Sequence, residues 1–464
     1  MTETRVARVV ERARLAQLQF KDADQATADL AVTAAAWSLY RPEHARELAE
    51  MAVSDTGIGN IPDKIIKKQR KTLGTLRDLL RVASVGIIED CPGRGLVKYA
   101  KPVGVVAAIT PSTNPAATPV NNAMMALKGR NAIIFAPSPS AHRTTARAVE
   151  LMQLELGRNG LPPDLVQVLP APVSKADTDS LMRLADLVVA TGSQDNVRRA
   201  YSSGTPAIGV GAGNVPVIID ETADLVQAAA RICLSKTFDN ASSCSSENAL
   251  VIVDSVYDRA IQVLRQSGGY LATPIERDRI LGALWVTGAL NRSLVAKDAD
   301  VFARGCGLSD EAAASRFIMV EETGIGPAFP LSGEKLSLVL TIYRVPDFDH
   351  AIATARAILD HQGRGHSCGL HSTNPARARQ LAESLDVVRV LVNQAHAFGN
   401  GGGFDNGLNF TLSMGCGTWG GNSISENLSY RHFLNITHLV TTIPPDEPDA
   451  DALFAAYLAR RGSG

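Results

Sequence analysis

A cysteine among small polar residues is the side chain best suited to do chemistry. Cys244 lies in the stretch Lys236-Thr-Phe-Asp-Asn-Ala-Ser-Ser-Cys-Ser-Ser-Glu-Asn, directly before the apolar residues 249–253. A thiol that only fills a core is expected among apolar neighbours. Backbone amides and small hydroxyls, in contrast, can stabilise a thiolate or an oxyanion. We therefore predict a nucleophilic cysteine, with a structural thiol in a polar turn as the alternative.

Two loops that follow predicted strands carry further groups suited to a ligand. Residues 110–115 are Thr-Pro-Ser-Thr-Asn-Pro, and Thr191-Gly-Ser opens a predicted helix. A Gly-Ser pair at a helix start can present backbone N–H groups and a hydroxyl to a phosphate. An ordinary N-cap serine explains the second loop equally well. No G-x-G-x-x-G sequence follows any of these strands, so the standard dinucleotide fingerprint is absent.

The composition is that of a globular protein with no bulk attraction to nucleic acid or membranes. A chain of 464 residues suits two or three domains, and its formal net charge is only -1. No 18-residue apolar span occurs, and the N-terminus lacks the continuous apolar segment of a secretory signal. We expect a cytoplasmic protein with neither nucleic acid nor a membrane as partner.

The six cysteines do not form a metal or disulfide pattern. They stand at positions 91, 233, 244, 306, 368 and 416, without any C-x-x-C pair. These intervals suit neither a zinc site nor a small disulfide scaffold. We therefore expect reduced thiols and no metal.

One basic run interrupts this even charge distribution. Residues 64–71 are Lys-Ile-Ile-Lys-Lys-Gln-Arg-Lys, spaced with apolar residues as in a helix. The pattern predicts a solvated helical face.

Alternating strands and helices predict where these loops meet. The first 85 residues have helical periodicity. Predicted strands of a first α/β unit are 104–110, 131–136, 165–169 and 187–190, and those of a second unit are 249–253, 316–320, 336–343, 368–372 and 388–392. Apolar strands that alternate with helices predict parallel sheets covered on both faces. Ligands bind such sheets at the carboxyl ends of the strands, which is where both loops lie.

The predicted domain organisation follows from the two units. Residues 1–91 and 104–235 form a dinucleotide-binding domain, and residues 236–425 form a catalytic domain that carries Cys244. Residues 92–103 and 426–445 are predicted as extended bridging or oligomerisation segments, and 446–464 as a C-terminal tail. Such exposed extended segments need edge partners, which predicts a homodimer or homotetramer.

Several motifs, in order along most of the chain, resemble the aldehyde dehydrogenase family and its CoA-acylating branch. They are Pro102-Val-Gly-Val-Val, Thr110-Pro-Ser-Thr-Asn-Pro, Ala126-Leu-Lys-Gly-Arg-Asn-Ala-Ile-Ile-Phe-Ala-Pro, Ala190-Thr-Gly-Ser, Phe238-Asp-Asn-Ala-Ser-Ser-Cys-Ser-Ser-Glu, Gly333-Glu-Lys-Leu-Ser, Gly365-His-Ser and Met414-Gly-Cys-Gly-Thr-Trp-Gly-Gly-Asn-Ser-Ile-Ser-Glu-Asn. Residues 109–115 and 404–410 resemble the subgroup that acts on sulfoacetaldehyde. The resemblance implies an α/β fold with two Rossmann-like domains and a small β oligomerisation arm.

The resemblance also implies roles for individual residues. Cys244 attacks the aldehyde, and the Asn114 side chain and the Cys244 backbone N–H hold the oxyanion. Glu334 matches the position that holds the nicotinamide ribose, and Gly192 and Ser193 match the pyrophosphate loop. The complete set of implied cofactor-binding residues is Thr110, Pro111, Ser138, His142, Arg143, Gly192, Ser193, Gly211 and Glu334.

One departure from the family pattern favours acyl transfer over hydrolysis. Hydrolytic members carry a glutamate that activates water, and Val210 occupies its place in this chain. Without that base, an incoming thiol takes the acyl group, so CoA is the expected second substrate. His366 is the predicted proton acceptor because imidazole titrates near neutral pH. His371 and His396 rank below it.

The segment after the strand 131–136 bears on the choice of cofactor. Residues 135–143 contain Ser138, His142 and Arg143 and no acidic residue that would repel a 2′-phosphate. The sequence therefore predicts that NADP is used at least as well as NAD.

The predicted substrate is sulfoacetaldehyde, converted to sulfoacetyl-CoA. The polar residues predicted to surround its sulfonate are Ser112, Thr113, Ser242, Ser243, His396 and Asn409. Acetaldehyde or another short aldehyde is the alternative, and a non-catalytic relative that keeps the fold is the second alternative.

Overall fold

The computed structural model describes residues 2–461 as helices and strands joined by mostly short loops. The helices are α1 (Thr2–Phe20), α2 (Gln25–Tyr40), α3 (Pro42–Thr56), α4 (Ile61–Leu80), α5 (Ala117–Lys128), α6 (His142–Arg158), α7 (Lys175–Leu184), α8 (Gln194–Tyr201), α9 (Leu225–Thr237), α10 (Tyr257–Gln266), α11 (Pro274–Leu284), α12 (Ala299–Gly305), α13 (Asp310–Ala313), α14 (Phe348–His361), α15 (Pro375–Ser384), α16 (His396–Gly399) and α17 (Ala450–Arg461). Between residues 2 and 461, no helix combines the length and apolar character that a membrane span requires.

The strands form two large sheets, a three-stranded arm and a hairpin. They are β1 (Gly86–Cys91), β2 (Leu96–Pro102), β3 (Val105–Thr110), β4 (Ala132–Pro137), β5 (Val166–Val168), β6 (Leu187–Thr191), β7 (Ala207–Val210), β8 (Val215–Ile219), β9 (Glu247–Val253), β10 (Gly269–Leu271), β11 (Trp285–Val286), β12 (Ala289–Leu290), β13 (Phe317–Glu321), β14 (Val339–Val345), β15 (Gly365–His371), β16 (Val387–Val392) and β17 (Leu434–Val440). The first sheet has the order β5-β4-β3-β6-β7 and the second the order β10-β13-β14-β9-β8-β15-β16, with all pairs parallel.

Burial explains why these two sheets are parallel. Every residue of β3, β4, β9 and β15 is buried. Strands buried on both faces need helices on both sides, which only βαβ crossovers supply. The predicted α/β fold with two parallel sheets is confirmed.

The chain passes from the first sheet to the second earlier than predicted. β7 ends at Val210 in the first sheet, and β8 starts at Val215 between β9 and β15 of the second. The following helix α9 packs on α10, β9 and β13 of that second unit. Residues 215–235 therefore belong with the second sheet and not, as the sequence predicted, with the dinucleotide-binding unit. The strands 207–210 and 215–219 follow each other closely in sequence. No change in composition therefore marks the point where the chain passes from the first sheet to the second.

The arm also differs from its predicted limits. β2 pairs antiparallel with β1 on one side and with β17 on the other. β1 lies before the predicted segment 92–103, and the strand in the predicted segment 426–445 covers only Leu434–Val440. β17 is exposed beyond its first residue and forms one edge of the arm.

Candidate active site

A cavity of about 310 Å³ brings together residues from six separate parts of the chain. Cys244 and Asn114 both line it, and Val210 closes the same space. The predicted residues that line it are Pro111, Thr113, Asn114, Gly192, Ser193, Gly211, Ser242, Ser243, Cys244 and Glu334. We call it the Cys244 cavity. It lies where the carboxyl ends of β3, β6 and β7 face the loop that precedes β9.

A buried carboxylate shapes the loop that carries Cys244. Asp239, Asn240 and Ala241 have φ values of 51°, 53° and 56°, which L-residues adopt at a cost of about 1 kcal/mol or more each. The Asp239 carboxylate is fully buried and accepts hydrogen bonds from Lys64 (3.1 Å), Lys67 (2.5 Å) and Ser242 (2.8 Å). These charge-assisted bonds offset the backbone strain and tie the loop to α4.

The surroundings of Cys244 keep its thiol protonated when no ligand is bound. Burial, together with the Glu334 carboxyl group and the Cys416 thiol, raises the pKa of Cys244 to about 12. Burial also raises the pKa of Glu334 to about 8. Gly213 must be glycine here because a Cβ would lie 2.1 Å from the Cys244 carbonyl oxygen.

The Asn114 amide is oriented by a lysine. Its Oδ1 accepts a hydrogen bond from Lys67 Nζ at 3.2 Å. With the oxygen engaged in this way, the amide nitrogen is left as the group that can donate into the Cys244 cavity. An oxyanion formed beside Cys244 therefore has a side-chain donor within the same cavity.

The other end of the Cys244 cavity suits the phosphates of a dinucleotide. Gly192 has a φ of 141°, and Ser193 caps the N-terminus of α8, accepting from the Asn196 N–H at 3.3 Å. Backbone N–H groups and the helix dipole favour an anion at this position. Thr110, at the end of β3, buries an Oγ1 that has no partner among residues 2–461. The residues present therefore fit a dinucleotide that extends from Ser193 towards Cys244 and Glu334.

Comparison with known proteins gives a consistent result. The model of the aldehyde dehydrogenase family matches residues 1–296. A sulfoacetaldehyde dehydrogenase (acylating) from Cupriavidus necator is 54% identical over 98% of this chain and 93% of its own length. The chain belongs to the aldehyde dehydrogenase family.

Solved structures place it in the acylating branch of that family. An acetylating aldehyde dehydrogenase from Geobacillus thermoglucosidasius superposes with a TM-score of 0.92 at 35% identity, covering 97% of this chain and 98% of the other. An engineered glycolyl-CoA reductase with bound NADP+ superposes with a TM-score of 0.83 at 27% identity, covering 94% and 96%. The chain is an acylating aldehyde dehydrogenase.

The predicted proton acceptor of this enzyme does not reach the Cys244 cavity. His366 lies on β15 with no exposed surface, and its Nδ1 is 2.7 Å from Ser367 Oγ. Burial and the nearby Arg389 guanidinium hold the pKa of His366 well below its usual value, so the ring is neutral. His366 does not line the Cys244 cavity and its Nε2 is buried without a partner in the described chain, so its catalytic role stays a prediction.

Four further predicted residues also lie outside the Cys244 cavity. His396 is buried with its Nδ1 3.0 Å from the Ser245 carbonyl oxygen, and burial lowers its pKa to about 4. His371 is buried at the end of β15. Asn409 lines a separate cavity with Thr75 and Arg431. Ser112 is half-buried in the loop after β3 but does not line the cavity.

Two of the three predicted 2′-phosphate residues, His142 and Arg143, have partners that the sequence did not reveal. His142 Nε2 is 2.8 Å from the Leu169 carbonyl oxygen, and Ser138 Oγ is buried without a partner within the described chain. Arg143 forms an ion pair with Asp55 of α3 at 2.6 Å. The expectation that no acid lies in reach is therefore wrong, because α3 supplies one from 88 residues away.

The feature that sequence reasoning missed is the inner face of α4. Lys64, Lys67, Lys68 and Lys71 are all buried, while Ile66 of the same helix is 49% exposed. The predicted solvated face is wrong: the lysines face the Cys244 loop and the apolar residue faces outward. The signal was the spacing i, i+3, i+4, i+7, which normally marks the buried side of a helix.

Proposed function

We propose that the enzyme oxidises sulfoacetaldehyde to sulfoacetyl-CoA, with NADP or NAD as hydride acceptor and CoA as the second substrate. The observation that carries the proposal is that Cys244, Asn114 and Val210 line one cavity. This set provides a nucleophile and an oxyanion donor without a carboxylate at the position that would activate water. The named activity of the Cupriavidus necator relative supports the choice of aldehyde.

The first half of the reaction builds a thioester on Cys244. The Cys244 thiolate attacks the aldehyde carbon, and the new oxyanion accepts hydrogen bonds from Asn114 Nδ2 and the Cys244 backbone N–H. The dinucleotide, when bound, supplies the acceptor for the hydride that leaves this carbon. Residues at the start of α8 hold its phosphates, and Glu334 lies where it can hold a ribose. Collapse of the oxyanion leaves an acyl group on the sulfur.

Proton transfer at Cys244 requires a group within its cavity. Among the described residues that line it, Glu334 is the one titratable neighbour of Cys244. Burial raises the pKa of Glu334 to about 8, so its carboxylate form, which can accept the thiol proton, becomes available as the pH rises towards 8. We propose Glu334 for this task in place of His366.

The second half of the reaction transfers the acyl group to CoA. The CoA thiolate attacks the thioester carbonyl, and the Cys244 thiolate leaves. Val210 is 4% exposed and presents only methyl groups to the cavity, so it cannot remove a proton from water. Thiolysis therefore outruns hydrolysis.

Substitution of Val210 tests this proposal directly. We expect Val210→Glu to release free acid in the absence of CoA, with Val210→Gln as a control of matched size that has no proton acceptor. The products are separated by mass spectrometry, using Cys244→Ser as a blank. Acyl-CoA formation by Cys244→Ser would overturn the nucleophile assignment.

Wild-type kinetics test the choice of aldehyde. We expect kcat/KM to be higher for sulfoacetaldehyde than for acetaldehyde, monitored through dinucleotide reduction with saturating CoA. A preference for acetaldehyde would favour the alternative short-aldehyde enzyme.

We also propose that β1, β2 and β17 serve as an oligomerisation arm in a homodimer or homotetramer. The support is the exposed edge strand β17, which has unpaired backbone groups. Light scattering coupled to size-exclusion chromatography tests this, and a stable monomer would contradict it.

A further inference from the structure

A second, smaller cavity adjoins the Cys244 cavity on the side of α4. It shares Asn114, Ser243 and Leu412 with the Cys244 cavity. We call it the side cavity, and its lining residues are Lys67, Arg70, Lys71, Asn114, Phe238, Ser243, Ala397, Phe398 and Leu412. A group bound there is therefore adjacent to an aldehyde carbon held between Cys244 and Asn114.

The cations of the side cavity exceed the carboxylates available to them. Asp239 pairs with Lys64 and Lys67. Lys71 is buried and donates to the carbonyl oxygens of Gly401 (2.7 Å) and Gly402 (3.3 Å), with no carboxylate partner in the described part of the chain. These carbonyl groups are dipoles and leave the net charge of Lys71 uncompensated.

Arg70 forms no ion pair among the described residues, although the exposed Asp405 lies near enough to favour its charged form. Its guanidinium carbon lies 5.4 Å from the Phe398 ring centroid and 4.9 Å from that of Phe404. Its Nε is buried and has no hydrogen-bond partner among residues 2–461. Aromatic faces orient a guanidinium while leaving its donors free for an anion.

Uncompensated buried cations are costly to a fold and indicate a missing anion. Burial lowers the pKa of Lys71 and of the neighbouring Lys68 to about 7. An anion in the side cavity would reverse this effect by favouring the charged lysines. Clusters of this kind are found where a protein binds a ligand of opposite charge.

The size of the side cavity limits the anion. Its volume of about 30 Å³ corresponds to roughly two water molecules. This volume excludes a long acyl chain and admits the charged oxygens of a compact group whose remaining atoms lie in the adjoining Cys244 cavity.

We propose that the side cavity is the binding site for the sulfonate of the aldehyde substrate, with Arg70 and Lys71 as specificity-determining residues and Lys67 as a shared contact. This inference rests on the proposed function, since it assigns the anionic end of the same substrate. The aldehyde carbon lies at Cys244, and the sulfonate occupies the cationic side cavity one carbon away. None of the residues predicted from the sequence for this role belongs to α4.

Substitution of Lys71 and Arg70 tests the assignment against a neutral substrate. We expect Lys71→Met and Arg70→Gln to lower kcat/KM for sulfoacetaldehyde by roughly 10²-fold, because each removes a cationic partner of the sulfonate that lines the side cavity. The value for propionaldehyde, a neutral aldehyde of similar length, should fall far less. Lys71→Arg, which keeps the charge, should retain part of the discrimination. Equal losses for both aldehydes in Lys71→Met would overturn the assignment.

Arg77→Gln provides the matched control. Arg77 lies on the same helix, 5.3 Å from the Phe404 ring, but it pairs with Asp78 and does not line the side cavity. We expect it to leave the ratio of the two kcat/KM values unchanged. A change as large as that of Arg70→Gln would overturn the assignment, because the effect would then arise from general helix charge.

Inhibition by ethanesulfonate separates this inference from the proposed function. We expect ethanesulfonate to compete with propionaldehyde in the wild type, and to do so at least tenfold more weakly in Lys71→Met. If the wild type forms no sulfoacetyl-CoA but shows this inhibition, the proposed function fails and the anion site stands. If ethanesulfonate does not inhibit, or if succinate inhibits more strongly than ethanesulfonate, the sulfonate site is overturned.

Discussion

Two groups of buried charges flank the Cys244 cavity, and they differ in balance. On one side, the buried residues Lys236, Lys335 and Glu247 lie near Glu334, which is half-buried in the cavity wall, so that two cations meet two acids. We call this the balanced cluster. On the other side, the four lysines of the inner face of α4 meet Asp239 as their one buried carboxylate partner among residues 2–461. We call this the cationic cluster.

The comparison separates charges that stabilise the structure of the site from charges that bind a ligand. In the balanced cluster, Lys236 Nζ donates to the Glu247 carbonyl oxygen at 2.7 Å, and Lys335 Nζ donates to those of Leu331 and Gly333. Each cation there has a fixed backbone acceptor, and cations and acids are equal in number, although no ion pair links them in the described chain. The cationic cluster has four lysines and one buried acid, Asp239, so its charges do not balance among the described residues. A buried charge without a counter-charge is unfavourable until a ligand supplies one.

The largest expected effect comes from unbalancing the balanced cluster. Lys236→Met removes the 2.7 Å hydrogen bond from Nζ to the buried Glu247 carbonyl oxygen, a short bond that Lys68 lacks, and we expect it to lower the free energy of unfolding by about 3 kcal/mol. The measurement is urea unfolding at pH 7, followed by circular dichroism. Arg344, which pairs with Asp254 on the surface, provides the control, and Arg344→Met should change stability by less than about 1 kcal/mol. A similarly small change in Lys236→Met would remove the distinction between the clusters.

A lysine-to-methionine substitution in the cationic cluster should instead raise the free energy of unfolding. Lys68 is buried, and its nearest acceptor is the Lys64 carbonyl oxygen at 3.5 Å. Because burial lowers the pKa of Lys68 to about 7, Lys68→Met should raise the free energy of unfolding by about 1–3 kcal/mol at pH 7.

The pH dependence of this gain checks its cause. Between pH 7 and 10.5, the usual pKa of a lysine, the unfolded chain binds more protons at Lys68 than the folded chain does. Wild-type stability therefore rises with pH across this window, and the gain in Lys68→Met should shrink towards zero near pH 10. The difference is measured by urea unfolding of both proteins at each pH. A gain that is independent of pH would mean that packing, and not charge, is responsible.

The sequence predicted the Cys244 cavity better than it predicted the charges around it. Asn114, Gly192 and Cys244 follow or precede strands, and the carboxyl ends of parallel strands meet at one edge of a sheet. Their convergence therefore follows once the strands are recognised. No such rule predicts that the lysines of α4 are buried, because a basic helix face is solvated unless a buried acid such as Asp239 lies opposite it. That acid is 175 residues away from Lys64 in sequence.

His366 is a second residue whose burial could not be predicted from the local sequence. A Gly-His-Ser sequence resembles an exposed turn, and a histidine there has suitable chemistry. Its exclusion from the cavity depends on β15 being covered on both faces, with β8 and β16 as its neighbours. Of these two neighbouring strands, β8 comes much earlier in the chain than β15, and β16 comes after it. Local sequence therefore identified the type of residue but not its solvent access.

The smallest expected effect lies at the ion pair between Arg143 and Asp55. Arg143 is 64% exposed, so its charge is screened by solvent and loss of the pair should be mild. Release of Arg143 would, however, free a guanidinium at the start of α6 for a 2′-phosphate. We expect Asp55→Asn to lower KM for NADP+ relative to KM for NAD+ by roughly two- to fivefold, because about 0.4–1 kcal/mol is typical of an exposed ion pair. Steady-state kinetics with both dinucleotides measure the ratio, and Asp254→Asn, at a surface pair on the second sheet, provides the control. An unchanged ratio in Asp55→Asn would place the 2′-phosphate away from Arg143, and the choice between NADP and NAD would then depend on other residues.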